Sequence, residues 1–138
     1  MKLKILIVIL CFFSFSSLAK QQTTVGCFSS GNINLKFTEI LYDDVFLGYV
    51  IYKGKSKFIP LAFIKKIEVN FDDRPSEFTY TWSEIVDGKV NGLYVVASQG
   101  ARFNSFYYKS NDGRITEFKE KIEAYNNDGS DCIWWEKI

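Results

Sequence analysis

Short alternating runs cut by turn dipeptides constrain this chain more than any other feature of it. Phe78, Tyr80 and Trp82 alternate with Thr79, Thr81 and Ser83. Ile33, Leu35 and Phe37 alternate with Asn34 and Lys36, and Ile67, Val69 and Phe71 with Glu68 and Asn70. Period two belongs to strands, where successive side chains point to opposite faces. In 45–52 both phases are apolar: Val45, Leu47, Tyr49 and Ile51 oppose Phe46, Gly48, Val50 and Tyr52, so this strand is expected to be covered on both faces. Leu93 to Ala97 and Phe103 to Tyr108 are β-branched or aromatic runs, which suit strands. Between the runs lie Lys53-Gly54, Asp87-Gly88, Asn91-Gly92, Asp112-Gly113 and Asp128-Gly129, all turn dipeptides, and Asp72-Asp73-Arg74-Pro75 reads as a further turn.

The pattern predicts an all-β domain, mainly an antiparallel barrel or sandwich of roughly seven to nine strands. One short helix is expected in 116–125, where Phe118, Ile122 and Tyr125 fall on one stripe with a charged back. Pro60 to Lys66 reads as a bend between strands, and Ile133, Trp134 and Trp135 close the chain. Phe, Tyr and Trp make up 17% of the sequence, so the core is expected to be aromatic.

The N-terminus has a different composition. Lys2 and Lys4 precede an apolar run from Ile5 to Phe13, followed by the small residues Ser16, Ser17 and Ala19. Charged, apolar and small in that order is the layout of a secretion signal, and the run is short for a membrane-spanning helix. Residues 1–19 are therefore expected to be removed, leaving 20–138 as one soluble domain in the periplasm or outside the cell. Cys11 lies too early in the apolar run, and Cys27 too far beyond it, to serve as a lipid-anchor cysteine. Once the leader is gone, Cys27 and Cys132 remain, and two thiols in an oxidising compartment read as one disulfide joining the first strand to the last.

Much chemistry is excluded by composition. The chain has no histidine, which removes Ser-His-Asp and Cys-His nucleophile systems and His-containing zinc sites. It shows no phosphate-binding glycine loop and no calcium loop. No cofactor or metal is implied, and enzymatic activity is not expected. The 17 basic and 16 acidic residues nearly balance, which argues against nucleic acid as a partner and gives no attraction to a membrane after cleavage.

Three segments resemble the periplasmic C-type lysozyme inhibitors of Gram-negative bacteria. Val25 to Ile33 is similar to their opening strand, with a Cys near its start. Val96-Ala97-Ser98-Gln99-Gly100-Ala101-Arg102-Phe103 is similar to their Ser-Gly-Ala loop ending in an aromatic, and Phe106-Tyr107-Tyr108-Lys109 to the aromatic-then-Lys segment that follows. Gln99 interrupts the Ser-Gly pair, Phe103 stands in place of Tyr, and the Gly after the Lys is missing. The resemblance implies a small β-barrel in which Ser98 and Lys109 reach the acidic cleft of a wall-degrading enzyme. Ser98, Gln99, Gly100, Arg102, Phe103 and Lys109 would then form the partner-binding surface, and the partner would be a lysozyme-like enzyme or a toxin countered by an immunity-type protein. The same loop also reads as a plain bend, with Gly100 supplying a positive φ. Two other functions stay open: a barrel that binds a small apolar ligand, suggested by the many aromatics, and an uncharacterised hydrolase.

Export yields the first testable outcome. Mass spectrometry of the periplasmic fraction is expected to find a chain starting at or near Lys20. A full-length, membrane-embedded product would contradict it.

Overall fold

Eight strands carry the alternation: β1 (Gln21–Ser30), β2 (Ile33–Tyr42), β3 (Val45–Tyr52), β4 (Ile59–Val69), β5 (Glu77–Val86), β6 (Lys89–Gln99), β7 (Arg102–Ser110) and β8 (Ile115–Glu120). The computed structural model describes residues 20–135, so the predicted leader lies outside the described residues. Each strand pairs antiparallel with its sequence neighbours, and β8 returns to β1 to close a barrel. The expected all-β antiparallel class is observed, as a barrel and not a sandwich. Short turns explain the order, since antiparallel neighbours need only a few linking residues. The predicted turns at Gly54, Gly88, Gly113 and Gly129 all have positive φ.

An eight-stranded barrel has an interior that side chains just fill. The inward phase supplies Phe28 from β1, Leu35 and Phe37 from β2, Val50 from β3 and Leu61 from β4. Trp82, Tyr94, Val96, Phe106 and Phe118 complete this cluster from β5 to β8. The rings interlock: Phe28 stacks on Phe106 at 4.2 Å between centroids, and Trp82 meets Phe63 edge-on at 5.5 Å. Such pairs contribute about 0.5–1.5 kcal/mol each beyond their burial.

Three bulges change the phase of the alternation. One lies between Phe63 and Lys65 in β4, so that Lys66 and Glu68 pair with the inward residues Tyr80 and Phe78. Ile67 and Val69, on the expected apolar face, are instead 48% and 44% exposed. The expected bend at Pro60 to Lys66 is this bulged strand. A second bulge leaves Asn91 without a partner in the β5–β6 ladder. Asn91-Gly92 is therefore strand and not turn; Gly92 is required because a Cβ there would overlap the Tyr108 hydroxyl. The third, at Asn104, lets Phe103 and Phe106 both pair with inward residues of β6, Ser98 and Val96.

The predicted helix is also corrected. Thr116 to Glu120 belong to β8, and only a 3-10 turn, Ile122–Ala124, follows. Strand wins because β7 needs a partner and Phe118 is needed in the core, where it meets Phe106 edge-on at 5.7 Å. Ile133 to Trp135 form a second 3-10 turn. Cys132 thus lies beyond the last strand.

The β1–β8 seam is brief, with only Phe28↔Glu120 and Ser29↔Lys119 paired. The segment after β8 continues the closure along the outside of β1. Lys121 N–H donates to the Cys27 carbonyl at 2.8 Å, and Cys27 N–H donates to the Tyr125 hydroxyl at 3.2 Å. The Cys27–Cys132 disulfide fixes this strap across 105 residues of sequence, and a 2.8 Å Lys36–Asp131 ion pair holds it to β2. Cys27, Cys132 and Ala124 form a small cluster of their own with Val25, Tyr125 and Trp134 packed against it.

The chain-entropy model assigns a loop of this size about 4–5 kcal/mol. The double variant Cys27→Ser/Cys132→Ser is expected to lose roughly that much or less in denaturant unfolding. Because the bridge lies outside the barrel, hydrogen exchange should rise first in 121–135 while β5 and β6 stay protected. Equal acceleration across the whole barrel would contradict this placement.

Candidate functional site

The two ends of the barrel interior differ. At the end bearing the β1–β2, β3–β4, β5–β6 and β7–β8 turns, a polar network fills the lumen around Glu84, which is 4% exposed. Its carboxylate accepts from Tyr94 Oη at 3.0 Å, Tyr108 Oη at 2.9 Å and Asn91 Nδ2 at 2.7 Å. Tyr52 and Tyr94 share a 2.6 Å hydrogen bond; with the Tyr94 proton directed to Glu84, Tyr52 donates. Burial, reinforced by the Glu84 hydrogen bond, pushes the Tyr108 phenol up to about 12. Tyr94 is raised further, by burial first and then by Tyr52 and Glu84. A buried carboxylate with three donors is satisfied, and this network acts as a plug.

The opposite end is open. A cavity of about 490 Å³ is lined by residues of β1, β2, β4, β5, β6 and β7 and by the β6–β7 turn. Its apolar wall is Leu41, Phe78, Tyr80, Val96 and Phe103, with Gln22, Thr24 and Ser98 as neutral polar groups. Its charged groups are Glu39, Lys66 and Arg102. Glu39 continues the inward phase of Leu35 and Phe37 and is only 7% exposed. The bulge in β4 brings Lys66 into the lining. Its Nζ lies 4.5 Å over the Phe78 ring, a cation–π contact. Arg102 stands at the rim, with Nε 3.6 Å from Glu120.

Glu39 is the unusual member. Among the described residues no side chain hydrogen-bonds to it, and no cation lies within ion-pair distance. Burial pushes its carboxyl up to about 7, against the opposing charge of Lys66. Burial also raises Tyr80, helped by the charges of Glu39 and Glu68. A buried carboxylate without a donor is expensive, and groups displaced this far concentrate at functional sites.

The sequence-predicted loop residues fall partly here. Ser98, Gly100, Arg102 and Phe103 line the cavity, and Gly100 with φ +61° makes the tight β6–β7 turn. Gln99 sits beside them, its Nε2 donating to the Pro75 carbonyl at 2.9 Å. Lys109 does not join them. It pairs with Leu93 and Ile115 near the plugged end, exposed, six residues along β7 from Phe103 and so roughly 20 Å away. Glu39 and Lys66 escaped the sequence reading. The signal for Glu39 was present, as the charged residue in phase with Leu35 and Phe37; Lys66 needed the bulge.

No family model matches the chain, and no curated protein or solved structure is significantly similar to it. Among the described residues no acidic, histidine or cysteine cluster is arranged to hold a metal, and no helix is long and apolar enough to cross a membrane.

The displaced carboxyl has a consequence for stability. Its folded value lies above the ordinary 4.5, so folding favours the protonated form. That preference is fully present below pH 4.5 and is lost as pH rises through about 7. Glu39→Gln carries no such penalty. The stability of Glu39→Gln relative to wild type is expected to grow by up to about 3 kcal/mol between pH 4.5 and 8. Denaturant unfolding at several pH values checks this, and a difference that stays flat would contradict it.

Proposed function

We propose that this disulfide-closed β-barrel is a secreted, non-enzymatic binding protein that takes a small amphipathic ligand into its open end. One observation carries the reading: the cavity beside Glu39 pairs an aromatic wall with a buried carboxylate that has no hydrogen-bond donor among the described residues. Its volume falls in the range of small-molecule sites, which are mostly apolar with a few convergent polar groups. The closed barrel keeps the wall rigid, so little ordering is needed on binding.

A second reading is favoured by a specific feature of the same rim. Gly100, Ala101 and Arg102 stand exposed at the β6–β7 turn, the segment that resembles the inhibitory loop of C-type lysozyme inhibitors. In that reading the loop enters the acidic cleft of a wall-degrading enzyme or toxin, a lysozyme inhibitor or immunity-type action. Arg102 and Lys66 would supply the positive charge, since Lys109 lies at the far end. Charge complementarity of this kind steers a protein partner and fixes its orientation.

The environment-sensitive apolar dye Nile red separates the two. The mature protein is expected to bind it with micromolar affinity and a blue-shifted emission. Ser98→Trp at the cavity rim should weaken binding at least tenfold, about 1.4 kcal/mol, while Lys109→Ala leaves it unchanged. The Trp variant should keep a cooperative thermal transition. No dye binding, together with inhibition of a lysozyme that Arg102→Ala relieves, would replace the first reading with the second.

A further inference from the structure

We infer that the ligand places a protonated amine against Glu39, with an apolar or aromatic body along Phe78, Tyr80 and Phe103; this rests on the cavity being a ligand site. The geometry gives the direction. Glu39 is buried at the cavity wall, 7% exposed, and lacks any hydrogen-bond donor among the described residues. The protein's own nearest cation does not descend to it, because Lys66 is exposed and engaged over the Phe78 ring. Arg102 is held to Glu120 at the rim. An acceptor-only group left in a hollow is complemented by a donor, and most strongly by a charged one. The rings lining the same hollow accept a cation on their faces.

Each surrounding element limits what else the ligand carries. From β3, Gly48 faces Glu39 and brings no charge, and from β6, Ser98 is neutral. From β1, Gln22 and Thr24 are neutral as well. From β4 come Lys66 and, beyond it, Glu68; from β5 the Tyr80 phenol; from β7 Arg102, paired with Glu120 of β8. The cations Lys66 and Arg102 at the mouth are matched by Glu68 and Glu120, while Glu39 alone is buried in the wall. The favoured ligand therefore has a single cationic centre at its deep end, and the rim sets no sign for the part that passes it.

Matched ligands test this. Tryptamine, indole-3-propionate and neutral 3-ethylindole share a body and differ in charge, and calorimetry on the mature, disulfide-intact protein reads their affinities. At pH 8 the amine is expected to bind at least tenfold tighter than the carboxylate. The amine's advantage should shrink at least tenfold at pH 5.5, below the raised Glu39 value of about 7, where the carboxyl is mostly neutral while the amine stays charged. Glu39→Gln should abolish the preference at pH 8, and Glu117→Gln on the exposed face of β8 should keep it. A carboxylate that binds as well as the amine, or a preference surviving Glu39→Gln, would overturn the inference while leaving the cavity a ligand site. If Nile red and all three indoles fail to bind, the site itself is refuted and the inference with it.

Discussion

Closure of the sheet is the constraint on which the rest of the structure depends. An open eight-stranded sheet would leave two edges of unpaired backbone groups, and the barrel removes them. Yet β1 and β8 share only two residue pairs. The strap after β8 completes the work: its backbone and Tyr125 take up the Cys27 carbonyl and amide, and the disulfide pins it there. Tyr125 also donates to Glu120 at 2.8 Å, and Glu120 in turn faces Arg102 at the cavity rim. A chain of polar contacts thus runs from the strap on the outside to the cavity rim.

Two buried carboxylates show what closure does to the interior. Glu84 and Glu39 are both nearly inaccessible. Glu84 receives three donors, two of them phenols reaching across the lumen, and seals one end. Glu39 receives none and lies beside a void of about 490 Å³. The same physical rule, that buried acceptors need donors, makes the first a structural element and the second an unmet demand. A protein that retains such a demand gives up some stability for it, a trade-off typical of binding sites.

The fold was largely legible because alternation survives where strands are regular. Phe78, Tyr80 and Trp82 point inward as their spacing predicts, and Asp87-Gly88 makes its turn. Legibility fails at the bulges. One extra residue at Ile64 reverses the phase of β4, turning Ile67 and Val69 outward and Lys66 inward, and no local composition announces it. Asn91-Gly92 carries the turn signature yet lies in strand, because Tyr108 needs the space above Gly92. The stripe of Phe118, Ile122 and Tyr125 reads as helical only if the demand of β7 for a partner is ignored. The candidate site was half legible for the same reason. The loop from Ser98 to Phe103 was visible as sequence, while its neighbours Glu39 and Lys66 come from strands distant in the chain, and Lys109 is carried away by the length of β7.

Whether the carboxyl of Glu39 is largely desolvated and without a hydrogen-bond donor at the mouth of the barrel is the central question. Side-chain carboxyl NMR of the mature protein, with Glu39 assigned by comparison with Glu39→Gln, measures it directly. The structure predicts a titration midpoint near 7 for this one carboxyl. A midpoint at the ordinary 4.5 would mean that water or a donor reaches it, and would contradict the account.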